Sequence, residues 1–139
     1  MPYYSRLSQE RLDTCCTPVR LLFSEVIKIF DCTILCGFRG EEEQNLAFSR
    51  GDSRCEWDES SHNQIPSLAI DVAPYYVELP HVRWTKQSLR RWYYFGGIVV
   101  ALAGVMSIPI RWGGDWDRDT YVLDQKFMDL PHYELVISP

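Results

Sequence analysis

The stretch Leu68-Ala69-Ile70-Asp71-Val72-Ala73 decides the architecture. Leu68, Ile70 and Val72 alternate onto one face of a strand, and Ala69, Asp71 and Ala73 fall on the other. A carboxylate on an otherwise apolar strand is costly unless a proton, a cationic side chain or a metal compensates it. Its same-face neighbours are small, which leaves room for a metal and a substrate beside Asp71. A second stretch, Asp129-Leu130-Pro131-His132-Tyr133-Glu134, leads into a terminal strand over 132–137. There His132, Glu134 and Val136 share a face, opposite Tyr133, Leu135 and Ile137.

Working outward, Thr17-Pro18 reads as an N-cap followed by a first-turn proline. Val19, Leu22, Phe23, Val26, Ile27 and Phe30 then keep helical spacing and form one apolar stripe. A short helix is expected over 8–14, a strand over 31–36, a loop over 37–40 and a helix over 41–50 that Gly51 stops. Residues 51–64 are polar and irregular. A long helix over 85–106 and a strand over 108–112 precede a loop-rich stretch over 113–129. Helices and strands mix without a regular βαβ rhythm, which predicts an α+β fold, a small antiparallel sheet flanked by helices, in one domain over 1–139.

Composition narrows the function classes. Hydrophobic content of 46% and charged content of 24% fit a water-soluble globular chain. The net charge is −5 and no basic cluster exceeds Arg90-Arg91, so no nucleic-acid partner is expected. Residues 92–110 carry no charge over nineteen positions, long enough to raise the question of a membrane span. Gly96, Gly97, Tyr93, Tyr94 and Pro109 fit a buried helix followed by a strand better, and no stable membrane insertion is expected. Residues 1–20 have no apolar core region, so no secretion signal is expected. The five cysteines include the adjacent pair Cys15-Cys16 and no Cys-x-x-Cys spacing, the pattern of reduced thiols. Cys32 and Cys36 are expected to pack as small apolar residues in a strand.

The chemistry concentrates in His62, Asp71, His132 and Asp129. Catalytic zinc takes three His, Asp, Glu or Cys ligands and keeps a fourth position for water. His62, Asp71 and His132 meet that need, and Asp129 could take a proton from water beside the metal. Taken singly each has a plainer reading: a histidine satisfied by a polar neighbour, or an aspartate capping a turn. Arg39, just past a strand end, suits either an oxyanion or substrate carboxylate, or a structural ion pair. Glu134 could orient an imidazole or join a surface ion pair. The acidic run Asp115-Trp116-Asp117-Arg118-Asp119 is not an EF-hand, since Thr120 and Lys126 stand where Gly and Glu are required. His81 follows Pro80 and reads as a loop residue.

These residues resemble the zinc peptidase family of D-Ala-D-Ala carboxypeptidases, vancomycin-resistance dipeptidases and bacteriophage L-alanyl-D-glutamate endolysins. The family's Ser-x-His, Ala-x-Asp and acidic-x-Pro-His segments correspond to Ser60-Ser61-His62, Ala69-Ile70-Asp71 and Asp129-Leu130-Pro131-His132. Gly37-Phe38-Arg39 with Glu42, Glu43 and Gln44 resembles its Gly-x-Arg-x-x-x-x-Gln stretch. Arg111-Trp112-Gly113-Gly114-Asp115-Trp116 resembles its Gly-Gly-x-Trp stretch. The interval from His62 to Asp71 is two residues longer than is common, with Pro66-Ser67 where one glycine is usual, a form similar to small phage-type members.

The resemblance implies a hedgehog-like and D,D-peptidase-like domain that holds Zn²⁺ through His62, Asp71 and His132. Asp129 would be the base, and Arg39 would support the oxyanion. The implied substrate is the peptidoglycan stem peptide, cut between L-Ala and D-Glu by a monomeric phage endolysin. Such an enzyme is made in the host cytoplasm and acts on the wall after release. D-Ala–D-Ala cleavage and a non-catalytic wall-binding module are the alternatives.

Overall fold

Ser5 and Pro18 set where the first helices begin. The computed structural model describes residues 2–137. Helix α1 (Arg6–Leu12) starts two residues before the expected position because the Ser5 side chain accepts the Ser8 N–H and caps it. Helix α2 (Thr17–Ile29) carries Pro18 in its first turn and buries Val19, Leu22, Phe23, Val26 and Ile27, the stripe read from the sequence. Strand β1 (Cys32–Cys36), helix α3 (Glu41–Ser49) and a single 3₁₀ turn (Ser61–Asn63) follow. Then come strand β2 (Ala69–Pro74), a 3₁₀ turn (Lys86–Ser88) running into helix α4 (Leu89–Val105), strand β3 (Ile110–Gly113) and strand β4 (Asp129–Leu135).

The four strands form one antiparallel sheet in the order β1-β2-β4-β3, and the chain is an α+β domain as expected. β4 begins three residues before the expected start, because Gly113 at the end of β3 pairs with Asp129. Between that pair and Trp112↔Tyr133 the register shifts, and residues 130–132 form a bulge. Pro131, which has no N–H to give a ladder, falls in this irregularity.

Register gives the two faces different tasks. Ile34 opposes Val72, Ile70 opposes Tyr133 and Tyr133 opposes Trp112. All five are buried in the hydrophobic core with the apolar sides of α2 and α4. Tyr133 sits at the centre, edge-on to Phe23 of α2 at 5.5 Å and to Phe95 of α4 at 6.3 Å. The opposite face carries Asp71 directly across from His132, with Cys36 across from Asp71 on the other side. A bulge between Ile34 and Cys36 turns Cys36 to this face. Cys32 is in the core as the sequence suggested, but Cys36 is half-buried beside the polar residues rather than packed as a core side chain.

The uncharged segment 92–110 divides between α4 and β3, and no helix among the described residues is long and apolar enough to cross a membrane. α4 lays Trp92, Phe95, Gly96, Val99 and Ala103 against the core. At Gly96 a Cβ would lie 2.2 Å from the buried Trp112 ring, whereas at Gly97 nothing stands within 4 Å. The two adjacent alanine substitutions should therefore act in opposite directions. Gly96→Ala must displace a packed indole, at a cost of about 1–3 kcal/mol. Gly97→Ala gains helix propensity, up to about 1 kcal/mol. Thermal unfolding should show a lower midpoint for the first variant and a slightly raised one for the second; equal losses would contradict this packing of α4.

Candidate metal and catalytic site

Asp71 and His132 meet because their strands pair in that register, which places cross-strand side chains on one face within contact distance. His62 arrives by another route. Its 3₁₀ turn is closed by a reciprocal cap: the Ser60 hydroxyl accepts the His62 N–H at 3.2 Å, and the Asn63 side chain accepts the Ser60 N–H at 3.1 Å. The turn is then tied to the segment after β1. The Arg39 N–H donates to the His62 carbonyl at 2.9 Å, and the Asn63 amide donates to the Arg39 carbonyl at 3.0 Å.

Gln44, on α3 and fully buried, fastens this arrangement. Its amide donates to the Ser53 hydroxyl at 2.9 Å and to the Cys55 carbonyl at 2.6 Å. Its carbonyl accepts from Arg39 and from Asn63, both at 3.1 Å. Two donors and two lone pairs are all engaged, the full capacity of the side chain. The sequence reading cited Gln44 only as part of a motif, and Asn63 not at all as a functional residue. Both act through contacts distant along the chain, and no local spacing announces them.

The sequence-predicted residues converge. Nε2 of His62 lies 3.2 Å from Oδ1 of Asp71, Nδ1 of His132 lies 3.4 Å from the same oxygen, and the two nitrogens are 3.3 Å apart. Each imidazole has its other nitrogen committed. Nδ1 of His62 donates to the Gly37 carbonyl at 2.8 Å, and Nε2 of His132 donates to Glu134 at 2.7 Å. Those donations leave a lone pair on each inward nitrogen. Three acceptors facing one point repel one another unless a cation or protons lie between them. Ligands about 2.0–2.1 Å from a tetrahedral zinc stand about 3.3–3.4 Å from each other, which these separations match. The donor set therefore fits a metal of the zinc type.

Other groups complete the surroundings. Oδ2 of Asp71 receives Nη2 of Arg39 at 3.2 Å, an ion pair in which each side chain is about one-sixth exposed. Of the two readings open for Arg39, its resting contact is this pair. Cys36 adds a sulfur, but its Sγ is 4.0 Å from Nδ1 of His62, the nitrogen already given to Gly37, and it points to the Gly37 carbonyl at 3.5 Å. Trp116 leans on the His132 ring with centroids 5.4 Å apart. Ala69 and Ala73, expected to leave space beside Asp71, are wholly buried. The space is instead a cleft of about 1260 Å³ lined by His62, Asp71, His132, Asp129, Arg39 and Glu134. Asp129 stands at the start of β4, where a Cβ on Gly113 would lie 2.0 Å from the Asp129 carbonyl oxygen, so only glycine admits β3 this close. Asp115, Asp117 and Asp119 gather in the turn beyond β3, and His81 stays apart, bonded to the Tyr76 carbonyl.

Proton affinities follow from this crowding. Burial disfavours the charged form of His62, yet the Asp71 carboxylate outweighs it and pushes the ring up to about 10. Burial opposes charge on His132 as well, but its bonds to Asp71 and Glu134 raise it. Burial alone would lift Asp71; the two histidines hold it well below the usual carboxylate range. Asp129 moves up, through burial and then through repulsion from Asp71.

A family profile described as phage L-alanyl-D-glutamate peptidase matches residues 2–136. Among solved structures, the L-Ala D-Glu endopeptidase ChiX of Serratia marcescens has a similar fold, with a TM-score of 0.65 at 20% identity. The alignment covers 97% of this chain and 91% of that one. No curated protein sequence gives a significant match.

The raised histidine makes the metal-free protein sensitive to alkali. His62 stabilises the fold fully below its ordinary value of 6.5, and that contribution is lost as pH rises towards about 10. A metal ion must displace the same protons, so its binding strengthens over that range. Thermal midpoints of zinc-loaded and chelator-treated protein should therefore diverge as pH increases from 6.5; a constant gap would exclude proton displacement at this site.

Proposed function

The chain belongs to the phage L-alanyl-D-glutamate peptidase family, and from that premise we propose that it is a zinc-dependent hydrolase of the peptidoglycan stem peptide, cutting between L-Ala and D-Glu. The observation that carries the reading is the convergence of His62, Asp71 and His132 at tetrahedral-edge separations in a cleft shared with Asp129. We read residues 1–139 as one catalytic domain, acting as a monomer. As a phage lysin it would be made in the host cytoplasm and reach the wall on release.

Zinc held by these three side chains would supply Lewis acidity, lowering the pKa of water towards ~7 and polarising a carbonyl. The protein's own residues do the rest. Glu134 and the Gly37 carbonyl hold the two imidazoles in the tautomers that face the metal position. Arg39 neutralises and orients the distal oxygen of Asp71; its charge also lies in the cleft, where an oxyanion would develop. Asp129 takes a proton from the attacking water as the new C–O bond forms. It returns that proton to the amide nitrogen as the C–N bond breaks, freeing the carboxylate of L-Ala and the amine of D-Glu. Its upward shift brings a carboxylate closer to the affinity such a shuttle needs.

Asp129→Asn should retain zinc and lose activity by roughly 10²–10⁴-fold. His132→Ala should lose the metal, and full zinc content in that variant would remove it from the ligand set. Purified protein incubated with peptidoglycan should create new L-Ala carboxyl and D-Glu amino termini, read by mass spectrometry. New D-Ala termini would move the cut to the other end of the stem, and no new termini from a zinc-loaded sample would end the enzymatic reading.

A further inference from the structure

Away from the convergent histidines, the cleft wall is dominated by acid. Asp52, Glu59, Asp117 and Asp124 all line it. A substrate bearing carboxylates would be repelled from such a wall unless a cation were fixed within it. Three cationic side chains line the cleft: Arg39, Arg54 and Lys126. Arg39 is committed to Asp71 and Gln44. Arg54 makes no ion pair with a carboxylate among the described residues, although the cleft wall around it is rich in acids.

Arg54 is nevertheless placed. Its guanidinium lies 4.0 Å above the centroid of the Phe127 ring. Phe127 in turn stacks with Trp116 at 6.4 Å, and the Trp116 indole donates to the Phe127 carbonyl at 2.6 Å. Trp116 is the ring that rests on His132. A continuous row of rings thus joins the metal position to the guanidinium. A planar cation lying flat on an aromatic face is held by the ring, while its N–H edge stays free to grip a carboxylate with two parallel bonds.

We propose that Arg54 is a specificity-determining residue that receives a free carboxylate of the stem peptide on the D-Glu side of the scissile bond. The inference rests on the stem-peptide reading given above. Two carboxylates share the required chemistry: the α-carboxylate of a γ-linked D-Glu, and the free carboxylate of a diaminopimelate residue following it. Both remain on the fragment released after cleavage, so recognition can be measured without turnover.

The experiment is titration calorimetry of the full-length, zinc-loaded protein with a γ-D-Glu–diaminopimelate dipeptide. Two analogues accompany it, each with one of the two carboxylates converted to the amide. Wild-type protein should prefer the unmodified fragment over one analogue by about tenfold, the scale of one charge-assisted contact, and the weaker analogue identifies the source. Arg54→Gln should abolish that preference, and Arg54→Lys should keep part of it. An unchanged preference in Arg54→Gln, no preference in the wild type, or loss of preference only in Lys126→Gln would overturn the assignment. Hydrolysis of peptidoglycan by the wild-type protein is scored separately. An inactive protein that still shows the Arg54-dependent preference would sink the peptidase reading and leave the carboxylate site standing, and the converse result would do the opposite.

Discussion

The carboxylate of Asp71 is the point on which the remaining architecture turns. One of its oxygens faces two imidazole nitrogens and the other faces a guanidinium. A buried carboxylate exists in a protein interior only when such compensation is built in. Three separate parts of the chain supply it: β4 through His132, the 3₁₀ turn through His62, and the segment before α3 through Arg39. The pairing of β2 with β4 is therefore tightly specified. A slip of one residue would turn Asp71 and His132 into the hydrocarbon on the far side of the sheet.

That far side is where stability resides. Tyr133 lies between His132 and Glu134 in sequence, yet its ring sits among Phe23, Phe95 and Trp112. The alternation of one strand thus sends neighbouring side chains to opposite tasks. The helices α2 and α4 grip one face, and none of the polar groups around Asp71 comes from either of them. Glycine at two positions sharpens the division. Gly96 lets α4 settle against the Trp112 indole, and Gly113 lets the backbone of β3 approach Asp129.

Much of this was readable in the sequence where the signal was local. Leu68 to Ala73 alternates, so the strand and the outward carboxylate could be inferred. The stripe from Val19 to Ile27 repeats at helical spacing and forms the expected helix. The pairing of Asp129 with His132 three residues later marked that segment as chemical. Other features were hidden because they depend on contacts between distant parts. Cys36 reaches the polar face only through a bulge in β1. Asp129 joins a strand only because Gly113 pairs with it. The lining of the cleft by Arg54 and Phe127 requires two loops, each irregular in sequence, to fold over the same side of the sheet. Ser5 starts α1 earlier than apolar spacing suggested, since a cap is one hydroxyl and leaves no periodic trace.

The saturated amide of Gln44 has a kinetic corollary. Its four bonds reach Arg39, Ser53, Cys55 and Asn63, and no hydrogen-bonding capacity remains for a visiting water molecule. Solvent cannot loosen these segments one at a time by substituting for a partner. Release of the turn that mounts His62 must proceed as a single concerted opening, so amide protons in that turn and in the neighbouring loops should exchange with solvent at a common, slow rate.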